Sequence, residues 1–242
     1  MGAQNGQKMK SQYFADINDY RKYGILRLLV GKGEKKTAIC WMLTEDDKSS
    51  DGKFTYYIGQ PDKWRSYDTT LFDSLAACLE NQEKRSVEWA AEKNLIPSAV
   101  YFSKSLNDIK EEREEYIEEF KQIARESDFV FFDPDNGIEV KSVSYGRKNS
   151  KKYLYWREIA DIFVMGKSLL VYQHFIRKKR DTFIQELADK FKERLGARKI
   201  FALRTAHVVF ILVPQSQHID YFGEKCTEIS AKWKTQIRVS NH

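Results

Sequence analysis

Apolar runs that do not alternate with polar residues constrain the fold of this chain more than any other feature. FVFF (129–132) is one such run, and KKTAICWML (35–43) and SLLVYQHF (168–175) are two others. A strand that is apolar at successive positions is buried on both faces, as happens in parallel sheets that helices cover on both sides. These runs therefore predict a central, mostly parallel sheet between two layers of helices.

Segments with helical spacing of apolar residues alternate with these runs. The predicted helices occupy residues 13–30, 69–82, 86–94, 107–127, 155–166 and 180–196. A short strand is predicted at 98–103, and two more strands at 198–205 and 206–215 follow each other so closely that they predict an antiparallel hairpin at the sheet edge. The predicted fold class is α/β, Rossmann-like, with a mostly parallel sheet and a C-terminal antiparallel hairpin.

No repeat or long linker divides the chain, so residues 12–242 are predicted to form a single α/β domain. Residues 1–11 are polar and are predicted to be disordered. Residues 219–242 are expected to add a helix and a strand outside the predicted hairpin.

Composition predicts a cytoplasmic protein without a membrane partner. No window approaches the roughly 18 apolar residues of a membrane span, and the first residues, MGAQNGQKMKSQ, lack the apolar core of a secretory signal. Cys40, Cys78 and Cys226 are odd in number and widely spaced, which is typical of reduced, packed thiols rather than of a zinc site.

The run 129–132 ends in the acidic turn DPDNG (133–137). In an open α/β sheet, the carboxyl ends of the strands are where ligands bind. Asp133 and Asp135 could both point into such a crevice and bind Mg²⁺ or Mn²⁺, which prefer oxygen ligands. The alternative is a turn whose acids cap nearby backbone and bind no ligand.

Three further residues complete a predicted catalytic set with Asp133 and Asp135. Glu139 could add a ligand or activate water, and Lys141 could balance phosphate charge. His174 ends the next predicted strand and could act as a general base, although a histidine there can equally be structural.

Basic residues follow both strand ends and predict a nucleic-acid or nucleotide partner, unless they are solvated surface charge. They are Arg147, Lys148, Lys151 and Lys152 in one cluster and Arg177, Lys178, Lys179 and Arg180 in the other. In the first predicted helix, Asp16, Asp19, Arg21 and Lys22 crowd about one turn, which favours a solvated face with local ion pairs. If that helix covers the sheet edge, Lys22 could reach a substrate phosphate.

The order of predicted elements, the Asp133-Pro134 exit and the terminal hairpin resemble the methyltransferase-like Rossmann fold. The nearest resemblance is to ribosomal RNA adenine methyltransferases, whose motif is Asp-Pro-Pro-aromatic. Here Asp135-Asn136 replace the Pro-aromatic pair that grips the target base in that family. The chain also resembles a set of bacterial proteins with DYRKYG, FFDPDNG and YQH segments.

This resemblance implies S-adenosylmethionine as a cofactor, with Asp51 and Gly52 of the loop TEDDKSSDGK (44–53) as its contacts. That loop has one glycine where the family is Gly-rich.

Three functions follow as hypotheses. The first is a divalent-metal-dependent phosphodiesterase or nuclease, because carboxylates and lysines stand where the family has glycines and an aromatic. The others are an S-adenosylmethionine-dependent nucleic-acid methyltransferase and a non-catalytic nucleic-acid-binding protein.

Overall fold

The structure is a computed structural model that describes residues 14–44, 54–80 and 86–242. Its helices are α1 (Ile17–Val30), α2 (Pro61–Trp64), α3 (Thr69–Glu80), α4 (Glu88–Glu92), α5 (Lys110–Ile123), α6 (Trp156–Val164), α7 (Arg180–Leu195) and α8 (Ile219–Lys232). Its strands are β1 (Thr37–Cys40), β2 (Ala99–Phe102), β3 (Phe129–Phe132), β4 (Gly137–Ile138), β5 (Tyr153–Leu154), β6 (Ser168–His174), β7 (Phe201–Arg204), β8 (Val208–Val213) and β9 (Arg238–Asn241). The disorder predicted for residues 1–11 lies outside the described residues.

The central sheet has seven strands in the order β2-β1-β3-β6-β8-β7-β9. The first four strands of that order pair in parallel, and β8, β7 and β9 pair antiparallel. The α/β class and the antiparallel β7-β8 pair are confirmed. The pair does not form the sheet edge, however, because β9 adds one more strand outside β7.

The central strand β3 explains why its sequence does not alternate. Phe129 and Phe131 pack into a core layer with residues of α1, α3 and α8, whereas Val130 and Phe132 pack into the opposite layer with α5, α6 and α7. Both faces of β3 are thus apolar because helices cover both. None of the helices in the described part of the chain has the length and the apolar composition of a membrane span.

Helix α1 is buried on most of its surface, and its first turns lie at the carboxyl ends of β1 and β3. Asp16 caps its first turn by accepting hydrogen bonds from the N–H groups of Asn18 and Asp19. Gly24 lies so close to Trp233 that a Cβ there would meet the indole at 2.2 Å. The missing side chain therefore lets the residue after α8 press directly against α1.

Candidate functional site

A cavity of about 460 Å³ lies at the carboxyl ends of β1 and β3. In the sheet β1 lies between β2 and β3, so the chain leaves β1 toward one side and later returns on the other. Ligands of open α/β sheets bind at such switch points. We call this cavity the switch pocket. Its walls include residues from the first turns of α1, from the segment after β1 (Trp41, Leu43 and Thr44), from 133–136 after β3 and from the end of β6.

Lys22 lies between two carboxylates in the wall of the switch pocket. Its Nζ is 2.7 Å from Asp19 Oδ1 and 2.7 Å from Asp133 Oδ2. Burial raises the pKa of Asp133, and the Lys22 ammonium acts against that rise. Burial alone would lower the pKa of Lys22, but Asp133 and Asp19 outweigh it and raise the pKa above its usual value. Lys22 is therefore a permanent cation held against Asp133.

The beginning of α1 supplies two acids to the pocket, Asp16 and the Asp19 that pairs with Lys22. Asp16 and Asp19 are 5% and 6% exposed, and the N–H of Ala15 donates to Asp19 Oδ2 at 2.9 Å. Burial, together with the charge of Asp19, raises the pKa of Asp16 to about 6. Ala15 makes this bond from a left-handed conformation, with φ +65°. A non-glycine residue held in that conformation costs free energy, and such residues often lie at functional sites.

The solvated face expected for these α1 residues is wrong. Asp16, Asp19, Arg21 and Lys22 are all buried, and three of them line the switch pocket. The sequence carried a usable signal, since residues 16, 19 and 22 are spaced by three and share one face of a helix. The sequence alone did not show that this face of α1 lies against the carboxyl ends of the strands and is therefore buried.

Asp135 and His174 meet on the opposite wall. Asp135 Oδ2 accepts a hydrogen bond from the Thr44 hydroxyl at 3.0 Å, and the His174 ring is hydrogen-bonded to the backbone of Asp135. His174 is exposed to solvent, but desolvation by its surroundings still lowers the pKa of its ring, so the ring is largely neutral near pH 7. The hydroxyl of Tyr172 lies 3.3 Å from His174 Nε2. A neutral imidazole at this position can accept a proton.

Gln173 ties the DPDNG turn to β6. Its Oε1 accepts from the N–H of Ile138 at 2.8 Å, and its Nε2 donates to the carbonyl of His174 at 2.8 Å. Gly137 has φ +100°, and a Cβ there would lie 2.5 Å from the Gln173 amide carbon. This turn therefore requires glycine, both for its backbone angle and for the close approach of Gln173.

Five aromatic residues also line the pocket. They are Phe14, Tyr23, Trp41, Phe54 and Tyr172. The Lys22 ammonium lies 5.1 Å from the centre of the Trp41 ring. Among the described residues, the buried hydroxyl of Tyr23 and the indole N–H of Trp41 have no hydrogen-bond partner. The pocket thus combines acids with π faces that suit a flat or cationic ligand.

The predicted catalytic residues do not all reach the pocket. Asp133, Asp135 and His174 line it, whereas Glu139 and Lys141 are not among its lining residues. The Glu139 carboxylate instead accepts from the N–H of Trp156 at 3.2 Å, at the start of α6. Lys141 is exposed on the loop beyond β4. Asp51 and Gly52, predicted to contact a cofactor, lie outside the described residues.

The groups around Asp133 fit an ammonium better than they fit Mg²⁺. The Lys22 Nζ already lies at hydrogen-bonding distance from Asp133 and Asp19, where a metal ligated by Asp133 would compete with it. Within residues 14–44, 54–80 and 86–242, no group of three or more His, Cys, Asp or Glu side chains could hold a metal ion. Asp133 and Asp135 therefore do not belong to a larger ligand set in the described part of the chain.

The two predicted basic clusters differ in their surroundings. Lys152 lines the switch pocket, and Arg147 and Lys148 are exposed on the same loop. In the second cluster, Lys178 pairs with Glu186 and the Arg180 guanidinium lies 5.1 Å from the centre of the Phe175 ring.

No model of a known protein family matches this sequence, and no curated protein matches it. The chemistry of the switch pocket is therefore inferred from its geometry and charges.

Proposed function

We propose that this protein is an S-adenosylmethionine-dependent methyltransferase that modifies an amino group of a nucleobase in nucleic acid. The observation that carries the proposal is the acidic, aromatic switch pocket with Asp133 in its wall. The proposal includes a methyltransferase-like Rossmann identity for the fold, which the order of its strands and its antiparallel β7-β8 pair support.

The charge of the pocket supports a ligand with a positive charge and N–H donors. Its described wall has the carboxylates of Asp16, Asp19, Asp133 and Asp135, but only the two ammonium groups of Lys22 and Lys152. S-adenosylmethionine has a sulfonium, an ammonium and an adenine amino group, all of which favour acidic and aromatic surroundings. The chemistry of these side chains therefore fits that cofactor, with Asp16, Asp135 and Trp41 as candidate contacts.

The residues of the pocket suggest how an amino group is prepared for reaction. When bound, S-adenosylmethionine supplies an electrophilic methyl group. The carboxyl group of Asp133, which Lys22 holds by a hydrogen bond, accepts a hydrogen bond from the target amine and directs its lone pair. The new N–C bond would form as the methyl–sulfur bond breaks and its electron pair stays on sulfur. The neutral His174 ring is the base that can accept the proton that the amine then loses. Asp135 orients that ring through its backbone.

A methyl-transfer assay with Asp133→Asn tests this assignment. Tritiated S-adenosylmethionine and unfractionated RNA or DNA should give acid-precipitable label with the unmodified protein. The asparagine variant keeps the size of the side chain but loses the charge, so transfer should fall by roughly 10²-fold or more while cofactor binding persists. Full transfer by Asp133→Asn would contradict the role of Asp133.

Metal-dependent phosphodiester hydrolysis remains a second candidate because Asp133 and Asp135 both line the pocket. It requires Lys22 to release Asp133 so that a metal can bind. Labelled RNA and DNA incubated with Mg²⁺ or Mn²⁺ and no S-adenosylmethionine separate the two candidates. Cleavage that disappears with Asp133→Asn would favour hydrolysis and contradict methyl transfer. A salt-sensitive nucleic-acid shift without either activity would indicate a binding protein.

A further inference from the structure

A buried arginine contacts the segment 147–152, which we call the basic loop. Arg113 on α5 is fully buried, and its Nε lies 2.6 Å from Glu158 Oε1. Its Nη1 donates to the carbonyl of Ser150 at 3.0 Å, and its Nη2 donates to the carbonyl of Tyr153 at 2.7 Å. The guanidinium thus links two helices to both the basic loop and the strand that follows it.

Aromatic rings close over the same guanidinium. The Arg113 Cζ lies 4.8 Å from the centre of the Tyr155 ring and 5.4 Å from that of Tyr145. Glu158 also accepts from the N–H of Tyr155 at 2.9 Å. A buried charge is costly unless its donors are satisfied, and here Glu158, backbone carbonyls and ring faces meet that need. An arrangement of this kind holds the loop in one conformation.

Asp108 holds the basic loop from a second side. Its Oδ2 accepts from the N–H of Asn149 at 3.0 Å, and its Oδ1 accepts from the N–H of Lys151 at 2.8 Å. Its Oδ1 also accepts from the Ser150 hydroxyl at 3.2 Å. Asp108 thus accepts from two backbone N–H groups and one hydroxyl of the loop, and none of these bonds uses a basic side chain.

The basic side chains of this loop are correspondingly unpaired. Within the described residues, no ion pair involves Arg147, Lys148 or Lys152. Lys152 reaches the wall of the switch pocket, whereas no residue of 177–180 does. In the second cluster, Lys178 is already paired with Glu186. Of the two clusters, the basic loop is thus the one whose backbone is held by Arg113 and Asp108 and which reaches the pocket through Lys152.

We infer that the basic loop is the surface that holds the phosphates of a nucleic-acid strand beside the switch pocket, with Arg113 as the positioning residue that fixes it. The inference rests on the proposed function for the role of the pocket. It goes further by assigning the backbone contact to the basic loop and not to residues 177–180. A loop whose backbone is already held loses less conformational entropy on binding than a mobile loop.

Fluorescence anisotropy with labelled single-stranded RNA and DNA oligonucleotides, over a range of KCl concentrations, tests this assignment. The double variant Arg147→Glu with Lys148→Glu should weaken binding at least about tenfold and lower the slope of log affinity against log salt by about 1.4. The matched variant Arg177→Glu with Lys179→Glu should change affinity less than about threefold. Equal losses in both variants, or no loss in the first, would overturn the inference.

The positioning role of Arg113 has its own test. Arg113→Met, or Asp108→Ala if the first variant does not fold, should weaken oligonucleotide binding and speed hydrogen exchange at the amides of Asn149 and Lys151. Faster exchange with unchanged affinity would show a purely structural role. Titration with S-adenosylmethionine should be unaffected by either variant. Failure of that titration in the unmodified protein would count against the proposed function, whereas intact oligonucleotide binding would leave the basic-loop assignment standing.

Discussion

Lys22→Met removes the ammonium between Asp19 and Asp133 and keeps a side chain of similar length. Each contact is 2.7 Å, which at an effective dielectric constant of about 20 corresponds to roughly 6 kcal/mol of Coulomb attraction before desolvation is subtracted. The Lys22 side chain is 11% exposed, and those of Asp19 and Asp133 are 9% and 16% exposed. Removing one partner from such a buried arrangement costs about 3–5 kcal/mol.

Urea denaturation measures this loss. With an m-value of about 3 kcal/mol per molar urea, the unfolding midpoint of Lys22→Met should fall by about 1–1.7 M at pH 8. Lys104→Met is the control, since Lys104 pairs with Glu119 but is 60% exposed, and it should cost at most about 1 kcal/mol.

The loss should depend on pH in a defined direction. The pKa of Asp133 is raised in the folded protein, so its protonation stabilises the fold at low pH, and that stability is lost as pH rises through the folded pKa. Lys22 stays charged throughout this range, because its pKa is raised above a value already near 10. Lys22→Met should therefore be less destabilising at pH 5 than at pH 8. If Lys22→Met lowers the free energy of unfolding at pH 8 by less than about 1 kcal/mol, with an unchanged m-value, Lys22 is not a stabilising counterion of Asp19 and Asp133.

Three further substitutions test the surroundings of the pocket. In urea denaturation, Gly137→Ala should lower the free energy of unfolding by about 1–3 kcal/mol more than Gly166→Ala. Both glycines have positive φ, but only a Cβ at position 137 would meet Gln173. Equal losses would contradict this. Asp16→Asn keeps a capping side chain. Because the pKa of Asp16 is raised to about 6, ionisation of Asp16 destabilises the unmodified protein as pH rises from 4 to 7, so the variant should become more stable relative to it. A stability difference that does not depend on pH would contradict this. Glu139→Ala should cost about 1 kcal/mol through the lost cap but spare methyl transfer, and loss of transfer in a folded variant would contradict this.

Much of the fold was predictable because local patterns determined it. The run 129–132 lacks alternation, and it forms a strand with a different core layer on each face. Asp16 is a capping residue type at the start of the predicted first helix, and it accepts the N–H groups of the first turn. Gly196 follows the apolar spacing of α7 and ends it in a left-handed conformation.

The site was only partly predictable, because its contacts join distant residues. Lys22 and Asp133 are 111 positions apart, and nothing local to either identifies the other as a partner. Glu139 follows an acidic turn and was expected in the pocket, but the short pairing of β4 with β5 carries it to the start of α6. Arg113 lies in a highly charged helix, where a fully buried guanidinium has no sequence signal of its own.

Calorimetric titration of S-adenosylmethionine into the unmodified protein and into two variants of Asn136 tests the central claim most directly. Asn136 lines the switch pocket with an exposed side chain, so Asn136→Trp should obstruct the cavity whereas Asn136→Ala should leave it open. The account predicts binding in the micromolar range for the unmodified protein and for Asn136→Ala, with affinity at least about tenfold weaker for Asn136→Trp. Absence of binding to the unmodified protein, or equal binding to all three proteins, would contradict it.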